Sequence, residues 1–407
     1  MLFDPARHEP LAVDPWSESA ARRAIETIAV AASRAFDPRT LWPAHARDVE
    51  DGDPALPRAC LYHGAAGVIW ALRHLQRQGL AEVAIDFDAP IDGLLGHHQR
   101  FNKAAGMDGA GSYFLGDAGV LLLQWQHRRE PATADALFAV VQANLHNPTL
   151  EPLWGSPGTL VAALHMLEAT QEPRWRSVFR EGVDILWHQM HTAQHSDHPG
   201  RDVWLWTQDL YGKQRMYMGA GHGFAGNLFP VLRGARWLDD AVVAGFDARA
   251  FDTLDVAASR DAGRINWDPV FDPRAADIPR RPLVQDCHGA AGTICRLAAT
   301  RSADLKALLL QAGELVWTAG PLTKPPGLCH GTDGNGYAFL KLHAMTGDAR
   351  WLERARAFAM HAIAQSDALA AQHGQRRYTL WTGDLGLAVY LSSCLRADPA
   401  FPTLDVF

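Results

Sequence analysis

Two Cys-His-Gly segments contain the residues of this sequence best suited to chemistry. They begin at Cys287 and Cys329, and in each the cysteine is followed by histidine and glycine. Thiolate sulfur and imidazole nitrogen are ligands that zinc prefers, and three protein ligands leave a fourth tetrahedral position open for a substrate. The cysteines lie 42 residues apart, too far for a compact zinc finger. They therefore form a site only if the fold brings the two segments together.

A repeated glycine pattern suggests how the fold does so. Seven Gly-x-x-Gly motifs occur, with first glycines 39 to 68 residues apart. These first glycines are Gly64, Gly116, Gly155, Gly223, Gly289, Gly331 and Gly383. Four motifs carry a histidine immediately before the first glycine, namely His63, His222, His288 and His330. Equivalent positions of a repeat occupy equivalent places in space, so we expect Cys287, Cys329 and His330 to converge.

The segments around the motifs predict helices in two environments. Each motif leads into a segment that is apolar nearly all round, such as residues 159–164, as in a helix buried on several sides. Segments between the motifs have a single apolar stripe, such as Trp351, Phe358 and Ala362. No convincing alternating strand pattern accompanies them. We predict an all-α fold, an (α/α)7 double-ring toroid with the seven motifs at the inner helices, formed by residues 1–407 as a single domain.

An open solenoid is the competing architecture, but the uneven repeat length and the strongly apolar inner segments favour closure. Two long polar connections, about residues 194–214 and 258–285, interrupt the repeats and run up to motifs that carry histidine. Long loops in a compact domain are often functional. We expect both to wall the site.

Composition excludes some classes of partner. The formal charge is −7 and the basic residues are scattered, so nucleic acid is not an expected partner. No apolar run approaches the roughly 18 residues of a transmembrane helix, and the N-terminus lacks a signal-peptide pattern. Five cysteines are an odd number, which argues for free thiols rather than a disulfide framework. We predict a cytoplasmic protein.

Three further residues are candidates for catalysis. His222 occupies the motif position one repeat before Cys287, and its pKa near neutrality suits a general acid or base. His288 directly follows a candidate ligand and is a candidate for orienting the substrate. Asp117 follows a first glycine and either caps its helix or orients a catalytic imidazole.

These motifs resemble a known family. Residues 218–226, 286–292 and 327–340 resemble the signatures of lanthionine synthetase C-like (LanC-like) proteins, and residues 114–119 and 380–386 match as well. The resemblance runs from Tyr62 to the C-terminus. It looks closer to the glutathione-binding, eukaryotic-type branch, which also has Cys-His-Gly at the first zinc motif.

The resemblance implies a toroid that holds one zinc ion through Cys287, Cys329 and His330. It implies Michael addition of a thiol to dehydroalanine or dehydrobutyrine, giving a thioether, with glutathione as the thiol in the eukaryotic-type branch. The acid or base corresponds to His222. The resemblance places glutathione contacts at Lys324 and at Arg376 or Arg377.

One residue departs from the family pattern. Asp286 stands where the family usually has tryptophan, directly before the first zinc cysteine. A carboxylate there is expected to add negative charge near the metal and so affects which thiol is preferred.

The sequence leaves the function open in several respects. The expected partner is a peptide or protein containing a dehydroamino acid, and the thiol is either a cysteine of that peptide or glutathione. A non-catalytic module that binds zinc and glutathione needs the same ligands. Helical toroids also include glycosidases and epimerases, for which Asp117, Asp333 and Asp384 are the available carboxylates.

Overall fold

The computed structural model describes residues 1–12, 14–107, 111–273 and 281–407, which form fourteen α-helices. In chain order the helices are α1 Glu18–Ala35, α2 Ala65–Arg77, α3 Asp88–Ala104, α4 Asp117–Arg128, α5 Pro131–Asn144, α6 Ser156–Thr170, α7 Pro173–Gln189, α8 Phe224–Arg233, α9 Asp240–Ala257, α10 Ala290–Leu297, α11 Ala303–Ala319, α12 Thr332–Thr346, α13 Ala349–His373 and α14 Asp384–Arg396. Two short 3₁₀ helices span Pro5–Arg7 and Ala235–Trp237. Within the described ranges, no helix has the length and apolarity needed to span a membrane.

The helices are arranged in two concentric rings. The even-numbered helices form the inner ring, in which each helix contacts the next and α14 returns to contact α2. The odd-numbered helices pack outside them, and α1 completes the outer ring against α13 and α14. Because the last inner helix meets the first, the ring is closed. The predicted (α/α)7 toroid is confirmed over the open solenoid.

Apolar periodicity explains which helices lie inside. Every residue of α6 from Ser156 to Leu167 is buried, as expected for a helix surrounded on all sides. The outer helix α13 buries only a stripe that includes Trp351, Phe358 and Ala362. The two patterns recognised in the sequence therefore correspond to the two rings.

The glycine motifs mark the starts of the inner helices. Each first glycine is the N-cap residue of an inner helix. Each second glycine lies in the first turn, where a Cβ atom would overlap the carbonyl oxygen of the residue six positions earlier. These second glycines are Gly67, Gly119, Gly158, Gly226, Gly292, Gly334 and Gly386. The motif is required because the incoming chain folds closely over the helix start. Among the first glycines only Gly289 also needs the left-handed region, with φ of +93°.

We expect Gly292→Ala to lower the free energy of unfolding by about 3 kcal/mol, because the new methyl group would overlap the carbonyl oxygen of Asp286. Gly93→Ala is the matched control. Gly93 is exposed inside α3 and a Cβ there meets only the His97 ring at 3.8 Å, so alanine should stabilise by about 0.5–1 kcal/mol. Urea unfolding of both variants measures the difference. Equal stabilities would contradict this account of the motif.

Three two-stranded antiparallel ribbons occupy the long connections. Strand β1 (His191–Gln194) pairs with β2 (Asp202–Leu205), β3 (Gln208–Leu210) with β4 (Lys213–Arg215), and β5 (Ser259–Asp261) with β6 (Arg264–Asn266). The sequence did not predict them, since strands of three or four residues are too short to establish an alternating pattern. Residues 274–280 of the second connection lie outside the described residues.

The seven loops before the inner helices meet at one rim of the toroid. Backbone hydrogen bonds join the residues that stand two positions before the first glycines. The N–H donors and C=O acceptors are Gly221 to Cys287 (3.0 Å), Cys287 to Cys329 (3.0 Å), Cys329 to Trp381 (3.0 Å), Trp381 to Tyr62 (3.3 Å) and Tyr62 to Phe114 (3.0 Å). These bonds run around most of the rim. Equivalent positions of the repeat therefore do come together, as the motif spacing predicts.

Candidate active site

Cys287, Cys329 and His330 form a compact cluster at this rim. One ligand atom from each residue lies within 4.8 Å of the others. Ligands of a tetrahedral zinc ion lie roughly 3.5–3.8 Å apart, which follows from Zn–S and Zn–N distances of about 2.3 and 2.0–2.1 Å. The bound of 4.8 Å on the separations in the cluster includes that range, so the donor atoms and their spacing fit a metal ion. Within the described ranges no other set of three or more histidine, cysteine or acidic side chains is placed in this way.

One of the two thiols, that of Cys287, lies in surroundings that favour loss of its proton. Hydrogen bonding with the Cys329 thiol holds the pKa of Cys287 well below its usual value, against the opposing effect of burial. The same contact raises the pKa of Cys329. A metal ion binds thiolate rather than thiol, and the lowered pKa of Cys287 makes this residue the more readily available thiolate ligand.

A cavity of about 200 Å³ lies against this cluster. Its wall includes the residue two positions before the first glycine in every repeat, namely Tyr62, Phe114, Leu153, Gly221, Cys287, Cys329 and Trp381. Apolar side chains such as Val161 and Phe229 form much of the remainder. The cavity is therefore mostly apolar, with the sulfur atoms and His222 among its few polar groups.

His222 lines the cavity and is oriented by a buried carboxylate. Its Nδ1 lies 2.9 Å from Oε2 of Glu151, a residue with no exposed surface. Burial opposes protonation of His222, but the hydrogen bond and negative charge of Glu151, with a smaller effect of Cys287, raise its pKa above the usual value. With Nδ1 bound to Glu151, Nε2 is left for chemistry in the cavity.

His288 and two tyrosines surround His222. The His288 ring centroid lies 5.7 Å from that of His222, and burial lowers the pKa of His288. The ring of Tyr217 lies 6.2 Å from His222. Tyr211, at the turn between β3 and β4, lies 6.3 Å from it and is exposed. Tyr211 thus brings the first long connection close to His222, although no residue of 194–214 lines the cavity.

Asp117 lies elsewhere. It is the first residue of α4 and lies 3.6 Å from His98 and 3.3 Å from Gln99. The imidazole that it contacts is that of His98, whereas Glu151 orients His222.

The other two carboxylates named for a glycosidase are buried and structural. Asp333 accepts a hydrogen bond from the backbone of Gly327, and burial raises its pKa to about 7. Asp384 binds Ser366 and the backbone of Arg377. Neither lines the cavity, and among the described residues Asp286 is the one carboxylate in its wall, so no pair of carboxylates faces across it there.

The three basic residues that the family resemblance suggests as glutathione contacts differ in their surroundings. Lys324 is half-buried near the cluster, and burial followed by the charge of Arg7 lowers its pKa, while Cys287 and Cys329 oppose the shift. Arg377 is buried in an ion pair with Asp48. Arg376 lies 2.7 Å from Asp367. Lys324 lies close enough to the cluster for the charges of Cys287 and Cys329 to act on it.

Asp286 is neutralised by a partner that the sequence did not suggest. It forms a buried 2.7 Å ion pair with Arg296, whose guanidinium lies 4.8 Å from the ring of Phe401. Burial raises the pKa of Asp286 to about 6, although Arg296 opposes the shift. The expected additional negative charge beside the metal is therefore offset inside the protein.

A family model described as "Lanthionine synthetase C-like protein" matches residues 58–406. This match covers all seven glycine motifs. The chain belongs to the lanthionine synthetase C-like family.

Relatives of this LanC-like protein include eukaryotic proteins. LanC-like protein GCL1 of Arabidopsis thaliana is 31% identical over 201 residues, which are 47% of this chain and 43% of GCL1. A protein of Danio rerio named glutathione S-transferase LANCL1 is 32% identical over 202 residues, 47% of each chain. The match thus spans less than half of either relative. The solved structure of nisin cyclase superposes with a TM-score of 0.59 at 14% identity, covering 95% of this chain and 99% of that one, which supports the fold.

Sequence reasoning about this LanC-like chain missed Glu151 and Gln285. Both stand four residues before a first glycine, and Gln285 donates a hydrogen bond to Cys287 Sγ at 2.9 Å. Cys60 occupies the same repeat position and lies 2.8 Å from His63. A polar residue at this position is the signal that could have identified them.

Proposed function

We propose that this LanC-like protein is a zinc-dependent enzyme that adds a thiol to dehydroalanine or dehydrobutyrine and forms a thioether. The observation that carries the proposal is the convergence of Cys287, Cys329 and His330 at the wall of a cavity that His222 also lines. Two thiolates and one imidazole would hold zinc and leave a fourth position for the substrate.

Zinc bound by these three residues would supply a site at which a substrate thiol is held as the reactive thiolate at neutral pH. The apolar wall around Phe114, Val161 and Phe229 excludes water from the acceptor. It also matches the apolar double bond of a dehydroamino acid. The side chains of the cavity thus bring the β-carbon of the acceptor toward the sulfur.

His222 is proposed to supply the proton that completes the addition. As the sulfur–carbon bond forms at the β-carbon, the π electron pair moves to the α-carbon, which must gain a proton. Nε2 of His222 donates it, and Glu151 stabilises the protonated imidazole through Nδ1. The products contain all atoms of both reactants, so no oxidant or reductant is needed.

Glutathione is the thiol that we propose, with a dehydroamino acid of a peptide or protein as acceptor. Supporting this choice, Lys324 lies near Cys287 and Cys329 and offers a cation for a carboxylate. The relative named glutathione S-transferase LANCL1 is consistent with it. Five free cysteines support a location in the reducing cytoplasm, which is part of the proposal.

The test is incubation of the zinc-loaded protein with glutathione and a peptide that contains dehydroalanine. Mass spectrometry should find a product whose mass is the sum of the two reactants, formed faster than without protein. The same peptide carrying its own cysteine measures intramolecular cyclisation. Binding of zinc and glutathione without any increase in rate would instead identify a non-catalytic binding module.

Glu151→Gln is expected to shift the pH profile of turnover. The protonated form of His222 is the proton donor, so the rate falls as the pH rises through its pKa. Glu151 raises this pKa and glutamine does not, so the fall should begin at lower pH in the variant. The rate at pH 8 should drop by about tenfold while the rate at low pH changes less. An unchanged profile would remove Glu151 from this role.

A further inference from the structure

The two ligand cysteines raise a question of selectivity. If the proposed function holds, the substrate sulfur must attack the acceptor, whereas Cys287 and Cys329 border the same cavity and must not. Cys329 is buried, with 8% of its surface exposed, but Cys287 is only partly buried. Cys287 is therefore the protein sulfur more open to an electrophile.

A side-chain amide contacts this sulfur directly. Nε2 of Gln285 donates a hydrogen bond to Cys287 Sγ at 2.9 Å. Gln285 is itself buried, and its backbone N–H donates to the carbonyl of His288 at 3.1 Å. A hydrogen bond to a thiolate withdraws electron density from sulfur and makes it a weaker nucleophile.

The orientation of the amide is fixed from its other end. Nη2 of Arg7 donates to Oε1 of Gln285 at 3.3 Å. Because a guanidinium can only donate, the amide oxygen must face Arg7 and the NH₂ group must face the sulfur. The positive charge of Arg7 also polarises the amide and strengthens its donation to Cys287.

Arg7 belongs to an N-terminal arm, residues 1–12, that crosses the rim. The carbonyl of Arg7 accepts a hydrogen bond from the backbone of Thr323 at 3.0 Å, and Glu9 N–H donates to Pro321 at 3.0 Å. Glu9 also binds Gln365 at 2.7 Å on α13. These contacts anchor the arm to the loop before α12, so Arg7 is held in place rather than extended into solvent.

We propose that Arg7 and Gln285 are positioning residues that suppress the nucleophilicity of Cys287, so that the incoming thiol and not the protein is alkylated by the acceptor. The inference rests on the proposed function, but its chemistry can be measured without turnover. In the suppressed reaction, the Cys287 sulfur would bond to the β-carbon, the π pair would move to the α-carbon, and water would supply the proton. The result would be a permanent protein thioether.

The experiment compares the alkylation rate of Cys287 in the full-length unaltered protein and in Gln285→Met, which keeps the side-chain length and removes both amide groups. N-ethylmaleimide, an electrophile of the same class as dehydroalanine, is applied at pH 7 for timed intervals. Peptide mass spectrometry then quantifies adducts at Cys287 and Cys329 separately. In the zinc-loaded protein the Cys287 sulfur is held as thiolate, and loss of the hydrogen bond leaves it the stronger nucleophile, so we expect its labelling to be about threefold faster in the variant.

Two further variants separate this role from general loosening. Arg7→Met should also accelerate labelling of Cys287, because the amide loses its fixed orientation. Gln365→Met is the matched control, since it removes one side-chain contact of the arm and contacts no sulfur. The backbone hydrogen bonds of Arg7 and Glu9 to Thr323 and Pro321 hold the arm in this variant, so it should label like the unaltered protein. All proteins are compared both zinc-loaded and after chelation, so that loss of metal in a variant does not obscure the result.

Equal labelling of Cys287 in Gln285→Met and the unaltered protein would overturn the inference, as would equal acceleration in Gln365→Met. Failure of the proposed function would be recognised by a different measurement. In that case the unaltered protein would give no thioether from glutathione and a dehydroalanine peptide, whatever the labelling rates.

Discussion

Cys329→Ala should abolish zinc binding and turnover together. Removing one of three ligands leaves a single sulfur and an imidazole, so we expect zinc to fall from about one per chain to less than about 0.1. Without the ion, a thiol with a pKa near 8.5 is only about 3% ionised at pH 7, and its position is no longer fixed. Together these losses predict a decrease in turnover of at least about 1000-fold.

Cys394→Ala is the matched control for this change. Cys394 is fully buried in α14 and does not line the cavity, so its loss removes a similar volume without removing a ligand. Metal analysis, a thermal melt and the glutathione-addition assay are applied to both variants. Zinc and turnover should survive in Cys394→Ala even if the melting temperature falls. Full turnover by a zinc-free Cys329→Ala protein would show that the cluster is not the reaction centre.

The architecture and the ligand cluster were predictable because both depend on local repetition. Each glycine motif marks the residue at which an inner helix begins. The apolar pattern of each helix indicates whether it belongs to the inner or the outer ring. Once Cys287 and Cys329 are assigned to the same position in neighbouring repeats, the fold places them together. In the structure the backbone N–H of Cys287 donates a hydrogen bond to the carbonyl of Cys329, so the two equivalent positions are direct neighbours.

The groups around the cluster were not predictable in this way. Glu151 reaches His222 across 71 positions of sequence, and it comes from a repeat whose motif carries no histidine. Asp286 precedes α10 and Arg296 lies in its last turn, and only the structure, in which both are buried, reveals them as an ion pair. A motif predicts where its own repeat begins a helix. It does not predict the distance between side chains of different repeats, on which such contacts depend.

The N-terminal arm illustrates the same limit. Nothing in residues 1–12 suggests a role at the site, and the family resemblance begins only at Tyr62. Arg7 nevertheless lies two hydrogen bonds from Cys287, through Gln285. Its position follows from pairing of the arm with residues 320–323 at the rim, an interaction between segments more than 300 residues apart in sequence.

His222→Ala is expected to lower turnover by about 100- to 10,000-fold while zinc stays near one per chain. The imidazole is not among the three ligands, so its removal should leave the cluster intact. What is lost is the donor that delivers a proton to the α-carbon after the sulfur–carbon bond forms. Addition of free imidazole to the variant should restore part of the rate, because the deleted side chain leaves space beside Glu151.

His63→Ala is the appropriate control, since His63 occupies the same motif position in another repeat. It contacts Cys60 and does not line the cavity, so we expect its loss to change turnover by less than about twofold. Both variants remove a histidine that precedes a first glycine, so a difference in turnover between them reflects where the histidine lies and not the residue type. If His222→Ala retained full activity, the proton would have to come from another group or from water, and Glu151 would have only a structural role.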